Sequence, residues 1–470
     1  MAFIGRKDEL RELEEKFNSG RFEMGVVYGA RRIGKTSILK EFVKDKSSLY
    51  FQAKESTALD NRQAFSKEIN KIIGIPYDFV YPSYTDGFEA LVRFASGKPF
   101  VIVIDEIAFI DKSDKGFLSE LQFNIDHKFK ETEIKLILSG SIISFMRDIL
   151  KNKRGPLFQR STFQMHIKKM NYSDALGFLT GLSSDEKIKY LSIFGEHPFY
   201  LTMIDKSKNF DDNVFDLLFS RFGNLIDAPD KVLPSASNDQ NTYNTILKAI
   251  AHRKRTNKEI SDYIGKDANY VASYLPKLIE NDIIERRESF NKNKKMNYYE
   301  ISDNLLRFWY HFIFDNKEEI GLNLGRAVYD EYQEDISLFV SRGFEDVALS
   351  YLTERNISGE LGYYYELIRS YKVDNSKIGR SIEIDGLAKG IGNGKNRILV
   401  AECKYRNSAI SLSVYEHLME SVSIFPADYY DVFLFSKSGF SDDIVNAKIE
   451  NVHLISVEEM TKEPDTIVLQ

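Results

Sequence analysis

The sequence predicts an α/β protein whose first part is a doubly wound parallel sheet, and three observations support this fold class. An apolar strand over 25–28 is followed by a glycine-flanked loop and then by a helix from about Lys35, which is the order of a strand–loop–helix unit. The run FVIVI at 100–104 contains no polar residue, as expected for a central strand covered on both faces. A further strand, KLIL at 135–138, ends in a Ser-Gly-Ser turn.

The order of the predicted elements divides the chain into four segments. Residues 1–165 are the parallel-sheet core, which also has a helix over 7–17 and a strand over 49–52. The spacing of apolar residues then becomes helical, which predicts a helical subdomain over 166–235 that ends in a linker rich in Pro, Ser and Asp. The two remaining predicted domains are 236–315 and 316–470.

The amino-acid composition excludes several classes of protein. The 470 residues are 43% hydrophobic, which excludes a mostly disordered chain. The net charge of −6 excludes a wholly basic nucleic-acid coat but not a local basic face. A single cysteine excludes a disulfide scaffold and a Cys-based zinc cluster, and it fits a cytoplasmic location. The beginning of the sequence does not resemble a signal peptide, and no apolar run approaches the ~20 residues of a membrane span.

Residues 29–36 read Gly-Ala-Arg-Arg-Ile-Gly-Lys-Thr, a phosphate-binding loop in the expected position between a strand and a helix. Its backbone N–H groups can surround the phosphates of ATP, Lys35 adds charge near the β- and γ-phosphates, and Thr36 is a ligand for Mg²⁺. The alternative is a chance glycine turn. The predicted nucleotide-binding residues of this loop are Gly29, Arg32, Gly34, Lys35, Thr36 and Ser37.

Polar residues at the ends of the next strands complete the predicted ATP site. Asp105 is expected to hold Mg²⁺ and Glu106 to deprotonate the attacking water, because ligand-binding residues emerge at strand ends in such sheets. The alternative for this pair is a helix cap. Ser139 and Ser141 are candidates for contact with the γ-phosphate or the water, or they form a simple turn. Candidates for a charge-compensating arginine are Arg154 and, preferred, Arg160, although either could be a surface ion-pair residue.

Six segments of the first ~230 residues resemble the archaeal-type ATPase family, a branch of the AAA-related STAND ATPases. They are IGRKDE at 4–9, GARRIGKT at 29–36, VIVIDE at 101–106, ILSGS at 137–141, GPLFQR at 155–160 and GEHPFYL at 195–201. The resemblance implies that Arg6 lies near the nucleotide base. It also implies a nucleotide contact near His197-Pro198, where histidine replaces the usual glycine, and the alternative there is a helix start.

Residues 241–303 predict three helices and then two strands joined by a basic turn at 290–295, which is the order of a winged helix. Thr256 and Glu259 form a capping-box pair at the second helix. Lys and Arg outnumber Asp and Glu here, so a basic wing beside a recognition helix over 268–280 could bind DNA. In STAND-like proteins the winged helix often packs on the ATPase as a structural piece, which is the alternative.

The last segment restarts an α/β pattern, with predicted helices over 339–354 and 413–422. The predicted strands are 360–367, 380–385, 397–404, 428–435 and 452–456. Alternation along two of these strands could bring Asp385, Glu402 and Lys404 together. Two carboxylates can bind Mg²⁺, and the lysine can activate water for attack on a phosphodiester. Glu345, on the preceding helix, is a further candidate ligand.

This pattern resembles the PD-(D/E)xK nucleases in their D…ExK form, although Ile384 stands in the place of the proline. It also resembles the domain of unknown function that follows archaeal-type ATPase domains. The expected fold class is therefore a P-loop NTPase sheet with a helical subdomain, a winged helix and a restriction-endonuclease-like α/β domain.

The sequence thus predicts an ATP-driven, Mg²⁺-dependent switch that controls the access of DNA to a nuclease-like site, with a nucleotide-dependent homo-oligomer as a further expectation. An alternative is an ATP-dependent DNA-binding or signalling scaffold with an inactive nuclease fold. A chaperone-like AAA remodeller is a third, weaker alternative.

Overall fold

The computed structural model describes residues 3–75, 79–227, 239–288, 297–375, 380–392 and 396–462. The predicted basic wing and most of the predicted linker lie outside these ranges. The chain divides into two compact units, the first made of residues 1–169 and 280–282 and the second of residues 170–279 and 283–470. None of the helices in the described ranges has both the length and the apolar character that crossing a membrane requires.

The first unit contains a five-stranded sheet in which all neighbouring strands are parallel, and this confirms the predicted α/β class. The strands are β1 (Glu23–Tyr28), β2 (Ser48–Gln52), β3 (Phe100–Asp105), β4 (Ile134–Gly140) and β5 (Phe163–His166). Their order across the sheet is β2-β3-β4-β1-β5. Every residue of β1, β3 and β4 is buried, as expected for central strands with both faces covered.

Helices cover both faces of this sheet. They are α1 (Lys7–Phe17), α2 (Lys35–Val43), α3 (Ala58–Ile73), α4 (Tyr84–Ala95), α5 (Ile107–Ser113), α6 (Phe117–Asn124) and α7 (Ile143–Lys151). A π-helical turn (Ile125–Phe129) extends α6. Val101 and Val103 of β3 pack with residues of α1 and α2, whereas Ile102 and Ile104 pack with residues of the other helices. The alternation continues to Asp105, which therefore lies on the face covered by α2.

The second unit begins with short helices and continues with the predicted order of three helices and an antiparallel ladder. The elements are α8 (Tyr172–Phe178), α9 (Ser184–Phe194), α10 (Pro198–Leu201), α11 (Phe210–Val214), a π-helical turn (Phe215–Phe219), α12 (Gln240–Ala251), α13 (Asn257–Ile264), α14 (Ala268–Glu280), β6 (Ile284–Glu288) and β7 (Asn297–Ile301). The Thr256–Glu259 capping box predicted for α13 is formed. That these elements are a winged helix stays a prediction.

The rest of the second unit places helices against a mixed sheet. The elements are α15 (Asn304–Phe312), a 3-10 turn (Phe314–Asn316), α16 (Lys317–Gly321), α17 (Gly325–Glu331), α18 (Gln333–Ser358), β8 (Arg369–Asn375), β9 (Arg380–Lys389), β10 (Arg397–Lys404), α19 (Leu412–Val422), β11 (Tyr429–Ser436), α20 (Asp442–Ala447), β12 (Val452–Ser456) and α21 (Val457–Met460). The strand order is β12-β11-β10-β9-β8. The β10, β11 and β12 strands are parallel to one another, and β8 and β9 pair antiparallel.

The strand predicted over 360–367 is wrong. Gly359 ends α18 at a φ of 81°, and Gly362 follows at a φ of 75°, so two residues interrupt the extended backbone. Tyr365 makes only an isolated bridge with Gly390, and the ladder begins later, at Arg369.

One apolar cluster runs through the whole second unit. It includes residues of the first helices, of α15, of α18 and of the sheet, among them Leu191, Trp309, Phe344 and Phe433. Trp309 is fully buried, and its indole Nε1 donates to the Ile226 carbonyl over 2.7 Å. The short helices and the mixed sheet therefore share a core.

Candidate functional site

The loop between β1 and α2 requires glycine at two positions. A Cβ atom on Gly29 would lie 2.2 Å from the Ile167 carbonyl oxygen, so any side chain there would collide with the backbone. Gly34 has a φ of 101° and immediately precedes the first residue of α2. The loop therefore reaches the α2 N-terminus with backbone N–H groups available for an anion, as the motif predicts.

Lys35 occupies the interior of this loop. Its Nζ donates to the carbonyls of Gly29 over 2.9 Å and Ala30 over 2.8 Å, and the residue is 5% exposed. Burial lowers the pKa of the Lys35 ammonium group, and the charges of Glu106 and Asp105 oppose this effect. The structure thus brings a buried positive charge close to both predicted carboxylates.

Asp105 joins the loop to the neighbouring strands. It is fully buried at the end of β3, and its Oδ2 accepts hydrogen bonds from Thr36 Oγ1 over 2.9 Å and Tyr50 Oη over 2.7 Å. Burial, together with the charge of Asp105, raises the pKa of Tyr50 well above its usual value. The adjacent hydroxyl and carboxylate oxygens of Thr36 and Asp105 are the kind of ligand that Mg²⁺ prefers.

Glu106 is hydrogen-bonded to Ser141, for which the sequence analysis suggested contact with the γ-phosphate or the attacking water. Its Oε2 accepts hydrogen bonds from the Ser141 backbone N–H over 3.1 Å and from Ser141 Oγ over 2.9 Å. Glu106 also has a φ of 55°, an uncommon backbone conformation for a residue other than glycine. In this state Ser141 binds the predicted general base, and its predicted contact with phosphate or water is untested.

Ser139 lies at the end of β4 and is fully buried. Its Oγ has no hydrogen-bond partner among the described residues. A buried hydroxyl without a partner is unfavourable by about 1–3 kcal/mol, and such groups occur where a ligand or water completes the site. The Ser139 hydroxyl is therefore compatible with a site that binds a further polar group.

Arg6 makes a hydrogen bond to the backbone of the phosphate-binding loop. Its guanidinium donates to the Ile33 carbonyl over 3.0 Å and to the Lys168 carbonyl over 2.7 Å, and it pairs with Glu9 over 2.7 Å. The residue is 5% exposed and adopts a φ of 60°. Arg6 therefore anchors the loop backbone, and its predicted place near the nucleotide base stays a prediction.

The structure does not gather the remaining predicted residues of the first unit into this cluster. The Arg160 guanidinium pairs with Asp126, with Nη2 at 2.7 Å from Oδ2, as in the ion-pair alternative. Arg154, Arg32 and Ser37 are exposed. His197 belongs to the second unit, where its ring is buried and stacks on Tyr200 with centroids 4.1 Å apart.

Tyr50 is the functional candidate that the sequence analysis missed. It lies in the middle of β2, and nothing in the pattern SLYFQ distinguishes it from a core aromatic residue. Its contact with Asp105 follows from the parallel pairing of β2 with β3, which places Tyr50 opposite Val103. Only knowledge of that pairing could have revealed the contact.

In the second unit, the predicted carboxylates meet where β9 pairs with β10. Gly386 is opposite Ala401, so Asp385 and Glu402 follow at the next positions. Asp385 Oδ2 accepts the Cys403 backbone N–H over 2.8 Å, and Lys404 Nζ donates to Glu402 Oε1. The Cys403 side chain is buried in the core.

The charges of these residues shift the pKa values of their neighbours. Burial raises the pKa of Asp385 well above its usual value, and the neighbouring Glu402 and Glu345 raise it further. Burial also raises the pKa of Glu345, to about 7. Burial lowers the pKa of Lys404, but Glu402 and Asp385 outweigh this effect and the net change is upward.

The chemistry of these carboxylates is compatible with a divalent cation shared by two of them. Within the described ranges, no three His, Cys, Asp or Glu side chains form a group that could hold a metal ion. Asp385 and Glu402 are therefore the candidate pair, and a role for Glu345 as a further ligand stays a prediction.

Two protein families match segments of this chain. Residues 3–204 match the family described as an ATPase domain predominantly from Archaea. Residues 309–416 match a family described as archaeal and bacterial proteins of unknown function. The first part of the chain thus contains an ATP-binding domain of the ATPase type.

Individual relatives and one solved structure are also similar to this chain. An uncharacterized protein of Methanocaldococcus jannaschii is 29% identical over 86% of this chain and 88% of its own length. An uncharacterized ATP-binding protein of the same organism is 43% identical over 46 residues, 10% of this chain and 78% of its own. The Walker-type ATPase of Pyrococcus abyssi is similar in structure, with a TM-score of 0.52 at 18% identity over 66% of this chain and 96% of that one. At this identity the structural likeness concerns the fold alone.

Proposed function

We propose that the first unit binds ATP with Mg²⁺ and hydrolyses it, and that the protein acts as a nucleotide-driven switch. The observation that carries this proposal is the hydrogen bond between Thr36 Oγ1 and Asp105 Oδ2, beside the Lys35 ammonium group inside the loop. Hydroxyl, carboxylate and ammonium groups in this arrangement are what P-loop phosphoryl transfer requires.

Each residue has a separate role in the proposed reaction. The loop N–H groups and Lys35 bind the phosphates and offset their charge. Thr36 and Asp105 would hold Mg²⁺, which would offset the negative charge that develops on the phosphate. Glu106 takes the proton of the attacking water after its carboxylate leaves Ser141. Ser139 supplies a hydroxyl to the phosphate or the water.

The test is nucleotide binding and hydrolysis by Lys35→Ala, measured by calorimetry with Mg²⁺ and by phosphate release. We expect hydrolysis to fall by at least about 100-fold, because a buried charge aimed at the transferring phosphate is lost. Lys44→Ala is the matched control, since this exposed lysine lies at the end of the same helix. Unchanged turnover by Lys35→Ala, or equal loss in the control, would contradict the proposal.

We further propose that the second unit cleaves phosphodiester bonds with Mg²⁺, with α12, α13 and α14 and the β6–β7 ladder acting as a winged helix that binds DNA. The proposal is supported by the convergence of Asp385 and Glu402 at adjacent strands, with Lys404 hydrogen-bonded to Glu402. Asp385 and Glu402 would bind the metal, and Lys404 would orient the attacking water.

The second proposal is tested by incubating plasmid DNA with the protein, Mg²⁺ and ATP. We expect nicking or linearisation by the natural protein and none by Asp385→Ala or Lys404→Ala. Lys462→Ala, a substitution near the end of the described chain, provides a charge-matched control. Cleavage that survives both site substitutions would exclude this site. DNA binding without any cleavage would instead favour the scaffold alternative.

A further inference from the structure

Three adjoining cavities of the second unit meet at one side chain, that of Glu383. The first cavity, of about 170 Å³, and the second, of about 110 Å³, are both bordered by Arg253 and Arg255. The third, of about 450 Å³, is bordered by Glu402 and Lys404. Glu383 borders all three cavities, and we refer to the three together as the groove, with the arginines on one side of this side chain and the proposed cleavage site on the other.

The backbone at Arg253 is unusual for an arginine. Its N–H donates to the Ile250 carbonyl over 2.9 Å, and the next N–H, of Lys254, donates to the Ala249 carbonyl over 3.0 Å. These two bonds form a Schellman motif at the end of α12, in which the position of Arg253 is usually glycine. Arg253 has a φ of 62°, and a left-handed conformation is unfavourable by about 1 kcal/mol for a residue with a Cβ atom.

Several arginines of the groove form ion pairs, whereas Arg253 and Arg342 do not within the described residues. Arg307 pairs with Asp346 over 2.5 Å, and Arg255 pairs with Glu300 over 3.2 Å. In the described part of the chain, Arg253 has no carboxylate within ion-pair distance, although its charge acts on Glu345 and Glu383. Arg342, on α18, borders the same cavity and likewise has no ion pair with any described residue. Two guanidinium groups thus face the groove without a bonded carboxylate.

We propose that Arg253, with Arg342, binds the phosphate backbone of a DNA strand that lies in this groove and leads to Glu402 and Lys404. The inference rests on the proposed function of the second unit, and it names the residues that deliver the substrate. Guanidinium groups bind phosphate oxygens strongly because their N–H donors match the geometry of the anion. An extended polyanion fits a groove with arginines at one end and a carboxylate–lysine site at the other, whereas a small anion would occupy one cavity only.

The test is the substitution Arg253→Gly in the full-length protein, because glycine is favoured at this backbone position. We expect equal or higher thermal stability together with weaker binding of a fluorescein-labelled DNA duplex, measured by anisotropy in Ca²⁺. The loss should be about fivefold or more, and the slope of log affinity against log salt should decrease by about 1, as expected for one lost phosphate contact.

The control is Lys448→Gly, which removes a positive charge from another left-handed helix end, that of α20, away from the groove. Its DNA affinity should equal that of the natural protein. Unchanged affinity of Arg253→Gly, an equal loss in the control, or no duplex binding by the natural protein would each overturn the inference. Intact binding without cleavage would overturn only the proposed nuclease activity.

Discussion

At the scale of single residues, the hydrogen bonds of Ser141 decide what Glu106 can do. Both the N–H and the hydroxyl of Ser141 donate to one carboxylate oxygen, so the proposed general base is occupied in this state. A base must be within reach of the proton that it removes. In the proposed reaction the carboxylate turns away from Ser141 before it takes the proton of the attacking water.

We predict that Ser141→Ala raises the basal rate of ATP hydrolysis about threefold and leaves ATP affinity unchanged. The substitution removes one of two hydrogen bonds that hold Glu106, each contributing about 1 kcal/mol. Steady-state phosphate release and calorimetric titration measure the two quantities. Ser113→Ala is the control, because that hydroxyl donates only to carbonyls within its own helix. A lower rate in Ser141→Ala would show that Ser141 orients the base productively.

At the scale of secondary-structure elements, the contact of α18 with α9 depends on one glycine. A Cβ atom on Gly343 would lie 2.6 Å from the Ser192 Cβ and 3.0 Å from its Cα and carbonyl oxygen. No side-chain rotation can relieve an overlap with the backbone. The close approach fixes α18, and with it the position of Glu345 two residues later on the same helix.

We predict that Gly343→Ala destabilises the second unit by about 1–3 kcal/mol, as is typical of an overpacked core. The control is Gly321→Ala in α16, where a Cβ atom would have no neighbour within 4 Å. Since alanine is favoured over glycine in helices, the control should be stabilised by up to about 1 kcal/mol. Chemical denaturation of both variants measures these changes. Equal stability of the two would contradict the packing argument.

At the scale of the molecule, one apolar cluster of the second unit joins its first helices to α18 and to one face of its sheet, whereas α19 packs with the other face in a separate cluster. Tyr172 Oη donates to the Met460 carbonyl over 3.0 Å, and Tyr405 Oη donates to Asp185 over 2.5 Å, so the first helices hold the far end of the unit. A local change of charge inside this core should therefore affect the stability of the whole unit.

We predict that His311 contributes a loss of about 2 kcal/mol to the stability of the second unit as the pH falls from 6.5 to 4, whereas the raised pKa values of Glu345 and Asp385 act in the opposite direction. Burial, with His252 nearby, lowers the pKa of His311 to about 4, although Asp335 opposes the shift and Arg342 adds to it. The unfolded chain, with a histidine pKa near 6.5, then binds more protons than the folded one within this window. Thermal melts at several pH values measure the effect.

As the pH falls, the variant His311→Phe should lose less melting temperature than the natural protein, because no ring nitrogen remains to be protonated in the core. The substitution His127→Ala, at an exposed histidine of the first unit, should leave the dependence of the second unit unchanged. A pH profile that is the same for His311→Phe and the natural protein would contradict this assignment.

The sequence by itself determined the parallel sheet of the first unit, the phosphate-binding loop and most strands of the second. Periodicity, glycine spacing and an apolar run are local signals, so a single sequence carries them. The prediction from sequence failed at 360–367. An apolar, aromatic segment suggested a strand there, but two glycines at positive φ interrupt the extended backbone.

Only the tertiary structure decided which polar groups meet. Tyr50 reaches Asp105 across paired strands, Ser141 binds Glu106, and Arg160 pairs with Asp126. Each contact joins residues more than 30 positions apart, and several donors of similar chemistry compete for each carboxylate. Distance and burial resolve that competition, and both depend on how the strands and helices pack rather than on the pattern of neighbouring residues.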